Sequence, residues 1–336
     1  MQQCATLVGL TLVLLSSCSA GTKGSGFDDK PNASGSADGG SGADNNGAPT
    51  GSLSGGGDGG GATAAVSLFY AHTNTTLYSM DPNNISAAPV SIGTFDCIGD
   101  GGSNASSMTD IAVAKDGSLF GVSTKAAYPL SITGTTVHCQ ATWPLPSAHA
   151  NFYGLTVAPE NTVSTQEVLI AADDGGNLYQ IDATTGNTTQ VGTLGTDPSS
   201  STAWGLSGDI VFVANGGSPV GFATVRTCNS HGTCQTTDTL IQIDVTQVKP
   251  GTQSVLKAVS GPVNKGSWCT NAASPSSFGS MYGIVAYQDK VYGFSHTGDV
   301  VEIHNGDGSG CLVNSYASMA FAGAGVTTVV PVIAPR

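Results

Sequence analysis

The sequence predicts an all-β fold, a β-propeller of five blades closed by strands from its two ends. Three observations carry this expectation: a composition suited to strands and turns, a four-strand unit that recurs along the chain, and strands at both ends that lack neighbours. Glycine supplies 47 of 336 residues, and only 10% of residues are charged. Ser, Thr and Asn are plentiful, whereas the Ala, Leu, Glu and Lys runs that sustain helices are scarce. The formal net charge is −13. A nucleic-acid partner needs a basic footprint to neutralise phosphates, so none is expected.

From Val66 onward, short apolar stretches alternate with Gly, Asn and Asp turn signals. The first strand of each unit is expected where an aromatic or Met precedes Gly or Asp and a β-rich stretch. Copies read Met108-Thr109-Asp110-Ile111, Phe152-Tyr153-Gly154-Leu155, Trp204-Gly205-Leu206 and Met281-Tyr282-Gly283-Ile284, with a weaker one at Gly323 to Val329. A second strand follows a turn at Leu119 to Val122 and at Lys290 to Phe294. The third recurs as Leu77 to Asp81, Leu178 to Asp182, Leu240 to Asp244 and Val300 to His304, with apolar residues at alternate positions facing inward. A fourth is expected at Thr188 to Gly192.

At the ends, Leu68 to Tyr70 and Leu77 to Asp81 lack a first strand, while Val326 to Val330 lacks successors. Pairing them completes one blade and removes the open edge. The long interval from Leu206 to Met281 holds either one blade with an inserted hairpin or a sixth blade. A pair of β-sandwiches would not explain the shared spacing.

The run Leu178-Tyr179-Gln180-Ile181-Asp182-Ala183-Thr184-Thr185-Gly186 resembles the repeats of quinoprotein-type and related surface propellers, a resemblance extending over 66–336. It implies the propeller fold. The Trp that ends the quinoprotein repeat is absent, and no cofactor is expected. The first residues resemble a bacterial lipoprotein signal: an apolar run from Leu7 to Leu15, then Leu15-Ser16-Ser17-Cys18-Ser19. That resemblance implies cleavage after residue 17, lipid on Cys18 and attachment to an outer membrane or cell surface; the signal lacks the usual Lys or Arg. Residues 18–65 are Gly, Ser, Ala, Asp and Asn with few large apolar side chains, a disordered tether spanning roughly 35–40 Å. Residues 66–336 form the propeller, expected to be monomeric.

Six cysteines remain after the signal and Cys18: Cys97, Cys139, Cys228, Cys234, Cys269 and Cys311. An even count in an exported chain reads as disulfides. Cys97 and Cys139 are 42 positions apart, as are Cys269 and Cys311, and each pair brackets a blade start. Equivalent bridges in equivalent blades predict Cys97–Cys139 and Cys269–Cys311, leaving Cys228–Cys234.

Candidate chemistry is sparse. Asn305, Asp307 and Ser309 place oxygens at alternate positions before a Gly, as half of a calcium loop does, but Tyr316 stands where its bidentate Glu belongs. A hairpin turn explains them better, and no metal is expected beyond that weak calcium candidate. Tyr153, Trp204 and Tyr282 stand just before the Gly of three copies, and Asp110 at the register of that Gly in another; they either wedge between blades as core or ring one mouth of the channel, where aromatics with polar tips suit sugars or peptides. The leading expectation is a surface-displayed lipoprotein whose propeller binds a protein or glycan without catalysis. The alternative is an extracytoplasmic hydrolase or lyase using acids at the channel mouth; a purely structural envelope component is a third.

Overall fold

The structure is a computed structural model describing residues 68–98, 107–145, 151–229, 232–288 and 290–329. The signal, Cys18 and the linker to residue 65 lie outside the described residues. Strands β1 (Phe69–His72), β2 (Thr76–Met80) and β3 (Val90–Phe95) form an antiparallel meander. β4 (Met108–Val113), β5 (Leu119–Ser123), β6 (Ala126–Thr133) and β7 (Thr136–Cys139) form the next, with short β8 (Trp143–Pro144) beside β6. β9 (Phe152–Ala158), β10 (Val168–Asp173), β11 (Asn177–Ile181) and β12 (Thr188–Thr193) make the third. β13 (Gly205–Val213), β14 (Val220–Arg226), β15 (Thr239–Ile243) and β16 (Leu256–Pro262) make the fourth. β17 (Met281–Tyr287), β18 (Lys290–Ser295), β19 (Asp299–His304) and β20 (Gly310–Ser315) make the fifth.

The chain then returns. β21 (Gly323–Gly325) pairs antiparallel with β1, setting Tyr70 opposite Gly325 and His72 opposite Gly323. It thereby becomes the inner strand of the first blade. The inner strands β21, β4, β9, β13 and β17 contact one another in that cyclic order, so the ring of five blades is closed. The interval from Leu206 to Met281 holds one blade, β13 to β16, and no sixth.

Burial follows from the ring. Each inner strand is flanked by two neighbouring blades, and β4, β5 and β10 are buried at every position. Outer strands face water, as the mostly exposed β16 does. Opposite the inner strands the second strands carry small residues: Ala71, Gly121, Ala171, Ala223 and Gly293. A Cβ at Gly121 would stand 2.7 Å from the Met108 sulfur, and one at Gly293 2.7 Å from the Met281 sulfur. The same Met-over-Gly packing therefore serves blades two and five.

The terminal strand lies slightly earlier than the expected Val326 to Val330. The residues after β21 run instead across the end of the ring where the inner strands finish. Thr327 bridges to Val113, the Ala214 N–H donates to Thr328 O at 3.0 Å, and the Thr328 hydroxyl donates to the Glu167 carboxylate. Glu167 also accepts the Lys115 N–H at 3.0 Å. Burial pushes the Glu167 carboxyl up, with the Thr328 hydroxyl opposing. One short tail thus touches blades two, three and four.

Three disulfides are present: Cys97–Cys139, Cys228–Cys234 and Cys269–Cys311, with Cα separations of 5.8, 3.8 and 5.2 Å. They suggest an oxidising, extracytoplasmic environment. No helix among the described residues is long and apolar enough to cross a membrane. The two long bridges run between blades rather than within one. Cys97 follows β3 of the first blade and Cys139 ends β7 of the second, where Thr94 and Phe95 pair parallel with Thr136 and Val137. Cys269 follows β16 of the fourth blade and joins β20 of the fifth, where Lys265 bridges parallel to Gly310. Each closes a loop with a sequence separation of 42 residues. Replacing Cys269 and Cys311 by serine is expected to cost about 2–4 kcal/mol in urea unfolding, since the open chain gains entropy; no shift in the midpoint would contradict that.

Candidate functional site

At one height in the ring, five residues share a register: Asp110, Gly154, Asp209, Gly283 and Gly323. Each precedes the inner-strand residue (Ile111, Leu155, Ile210, Ile284 or Ala324) that pairs with a small residue of the second strand. The expected copy Trp204-Gly205-Leu206 was therefore in the wrong register. The equivalent triplet is Gly208-Asp209-Ile210, four residues later, because β13 bulges between Leu206 and Ile210.

Asp110 and Asp209 are both fully buried, and they sit close enough inside the ring for each to shift the other. Asp110 accepts N–H groups from Leu155 at 2.5 Å and Ala324 at 3.2 Å, joining blades two, three and one. Asp209 accepts from Ile284 at 2.7 Å and Ile210 at 2.5 Å, joining blades four and five. Burial, then the neighbouring Asp209, pushes the Asp110 carboxyl well up; burial also raises Asp209, against the effect of Asp110 and its N–H donors. Two carboxyl groups that influence each other in a dry interior resist being ionised together, so the pair holds a proton.

His72 stands beside them, fully buried. Its Nδ1 lies 2.8 Å from Thr73 O, a carbonyl that only accepts, so Nδ1 carries the proton. Its Nε2 is then a lone pair, and it has no partner among the described residues. A Cβ at Gly323 would strike both His72 Nε2 and Asp110. Gly323→Ala is therefore expected to cost about 1–3 kcal/mol, read from the thermal midpoint; an unchanged midpoint would show room that the packing denies.

The entry end of the axis lies above this layer. Tyr153 and Tyr282, one residue before Gly154 and Gly283, are partly exposed. Burial raises the Tyr153 phenol, with Asp174 and Tyr282 adding to the rise and Arg226 opposing it. These four side chains thus form one electrostatic neighbourhood at the mouth. The rings of Tyr282 and His296 lie 5.1 Å apart. Beside them Asp238 is buried, accepting the Ser207 hydroxyl and, at 2.8 Å, the Met281 N–H.

The four expected mouth residues are thus separated. Tyr153 and Tyr282 line the mouth, and Asp110 lies below it inside the ring. Trp204 is only 3% exposed and packs into the core shared by blades three and four. Sequence reasoning missed Asp209, His72 and Arg226, and it read Asp174 in Asp173-Asp174-Gly175-Gly176-Asn177 as part of a tight turn or calcium loop and not as a mouth residue. Only Asp209 left a signal, since Asp209-Ile210 repeats Asp110-Ile111.

The calcium candidates form the β19–β20 turn. Asp307 accepts the Ser309 N–H and hydroxyl at 2.9 and 2.7 Å, and Asn305 O accepts from Gln242 and Ser260 at 3.2 and 2.7 Å. Cys228 and Cys234 close a small loop between β14 and β15, where the residues between include two outside the described set.

No protein-family model matches the sequence, and neither does any curated protein. Among solved structures, the chain is similar to that of U3-55K at 9% identity, covering 79% of this chain and 82% of that one, with a TM-score of 0.41. It is also similar to BBS1N, solved in complex with ARL6DN, at 10% identity, 68% and 55% coverage and a TM-score of 0.30. Likeness at this level says nothing of ligands.

Proposed function

We propose that the protein is an exported, lipid-anchored binding module whose propeller receives a protein or glycan at its entry mouth without catalysis. The observation that supports this is the partly exposed Tyr153 and Tyr282 at that mouth, with the chain at Asp174 and at Arg226 meeting at Gly205, whose Cβ would stand 2.9 and 3.7 Å from their carbonyls. Aromatic faces with polar tips, plus one cation and one anion, suit recognition of a polar surface. The acids brought together on the axis are sealed inside and hydrogen-bonded to backbone, which suits a strut better than a catalyst. A hydrolase or lyase built on Asp110 would need it at the mouth, and it is not there.

The test is affinity capture of envelope proteins and glycans on full-length protein, compared with a Tyr153→Ala, Arg226→Ala, Tyr282→Ala triple variant. Loss of the captured ligand by tenfold or more supports the mouth; equal retention overturns it. For the anchor, mass spectrometry of the mature N-terminus is expected to find an acylated Cys18. An unmodified peptide containing Cys18, or one starting beyond it, removes the anchor from the proposal.

A further inference from the structure

We propose that a second site, a cleft between blades three and four, binds a neutral saccharide. The cleft has a volume of about 420 Å³. It lies between the β10–β11 turn, the chain after β12, the chain entering β13 and the segment before β16. Its polar lining comes from Asn177, Thr193, Thr196, Gln253 and Ser254, with Trp204 beneath.

Three features select the ligand class. First, the lining contains no ionisable residue, although the chain carries a net charge of −13. The neighbouring acid, Asp197, has its oxygens taken by the Ser199 N–H and hydroxyl and the Ser200 hydroxyl, at 2.8–2.9 Å. A charged ligand would find no counter-charge here. Second, the exposed Thr196 hydroxyl and Gln253 amide are in no side-chain hydrogen bond among the described residues. Each both donates and accepts, as sugar hydroxyls do. Third, Trp204 lines the cleft and its buried indole N–H has no acceptor among the described residues. That nitrogen is closed to water, so a ligand would reach it only through a shift of the wall, and Trp204 otherwise gives the cleft an apolar floor.

The walls are set in advance. The backbone N–H of Trp204 donates to Gly195 O at 2.9 Å, that of Leu194 to Gly176 O at 2.8 Å, and that of Val255 to Thr193 O at 2.8 Å. The Thr193 hydroxyl reaches Gln253 O at 2.5 Å, crossing from one blade to the other. Gly195, at φ +79°, lets its backbone lie where a Cβ would strike the Ser254 hydroxyl and Leu256. A site fixed by backbone bonds spends little ordering entropy on binding. Its volume is toward the small end of ligand pockets, enough for about one or two sugar rings.

This assignment rests on the reading of the domain as a binding module, and it gives that module a ligand class away from the mouth. The experiment is saturation-transfer NMR on full-length protein with maltose, cellobiose and diacetylchitobiose as probes. At least one neutral disaccharide is expected to give a signal. Gln253→Ala and Ala203→Trp, both at exposed positions, should weaken its Kd tenfold or more, while Val90→Ala, exposed on the outer strand of blade one, leaves it unchanged. No signal from any of the three, a Kd equal to wild type in both cleft variants, or a loss confined to the triple mouth variant would overturn the cleft. The triple mouth variant judges the mouth independently, so either reading can fail alone.

Discussion

Asp209→Ala is expected to destabilise the protein by about 3–5 kcal/mol, measured as the urea unfolding free energy. The substitution strips the Ile284 N–H of its acceptor and removes the group that shares a proton with Asp110. Asp110 would then face a dry cavity alone. Asp209→Asn is expected to cost less, because the amide oxygen still accepts the Ile284 N–H, although the NH₂ that replaces Oδ1 cannot accept the Ile210 N–H. The pair also predicts a pH dependence. Asp209 is pushed up to about 7 in the fold, mainly by burial, against 3.8 unperturbed. The native state therefore keeps a proton that the unfolded chain releases. This contribution is complete below the unfolded value and is lost as pH rises through 7. His72 acts oppositely: burial lowers it from 6.5 to about 4, so its contribution is present above 6.5 and lost as pH falls through 4. Between 4 and 6.5 the two oppose, and above 6.5 the acids act alone. Wild-type stability should fall from pH 6.5 to 8, and Asp209→Asn should flatten that slope; an equal slope in both would assign it elsewhere.

Deleting residues 322–336 is expected to abolish cooperative unfolding, a loss on the order of the domain's whole ~5–15 kcal/mol. The deletion exposes the edge of β1 and removes the Ala322 N–H bond to His72 O at 2.8 Å. It also takes the Ala324 N–H from Asp110 and the Thr328 hydroxyl from the buried Glu167. Each loss leaves a buried acceptor short of a donor, and together they open the ring. Circular dichroism against urea checks this, with a peptide of residues 318–336 added in trans. A sigmoidal transition in the truncated chain without peptide would show that the other four blades suffice.

The fold was legible because each blade repeats its chemistry in sequence. The third strands read Leu-x-x-Ile-Asp or close to it, and their alternation maps directly onto β11, β15 and β19. Cysteine spacing was equally readable, since equivalent bridges recur at equivalent places. The site was less legible. A Gly-Leu pair at Gly205-Leu206 imitated the repeat, whereas the true position is displaced by a bulge that no local residue type announces. Trp204 looked like a mouth residue and is core at the edge of a cleft. The mouth itself draws Arg226 from the end of β14 and Asp174 from the turn after β10, residues of two blades that meet only when those blades pack side by side. Such convergence leaves no motif.

The placement of the long bridges has a mechanical consequence. Blades one and two are covalently clamped, as are four and five, but blade three holds no cysteine and touches its neighbours only through packing and hydrogen bonds. Under load, or in slow thermal breathing, the ring should part first along the three borders that no disulfide spans: the one between blades five and one and the two of blade three, one of which faces blade four. The same border carries the proposed saccharide cleft. A ligand bridging it would act as a removable third clamp.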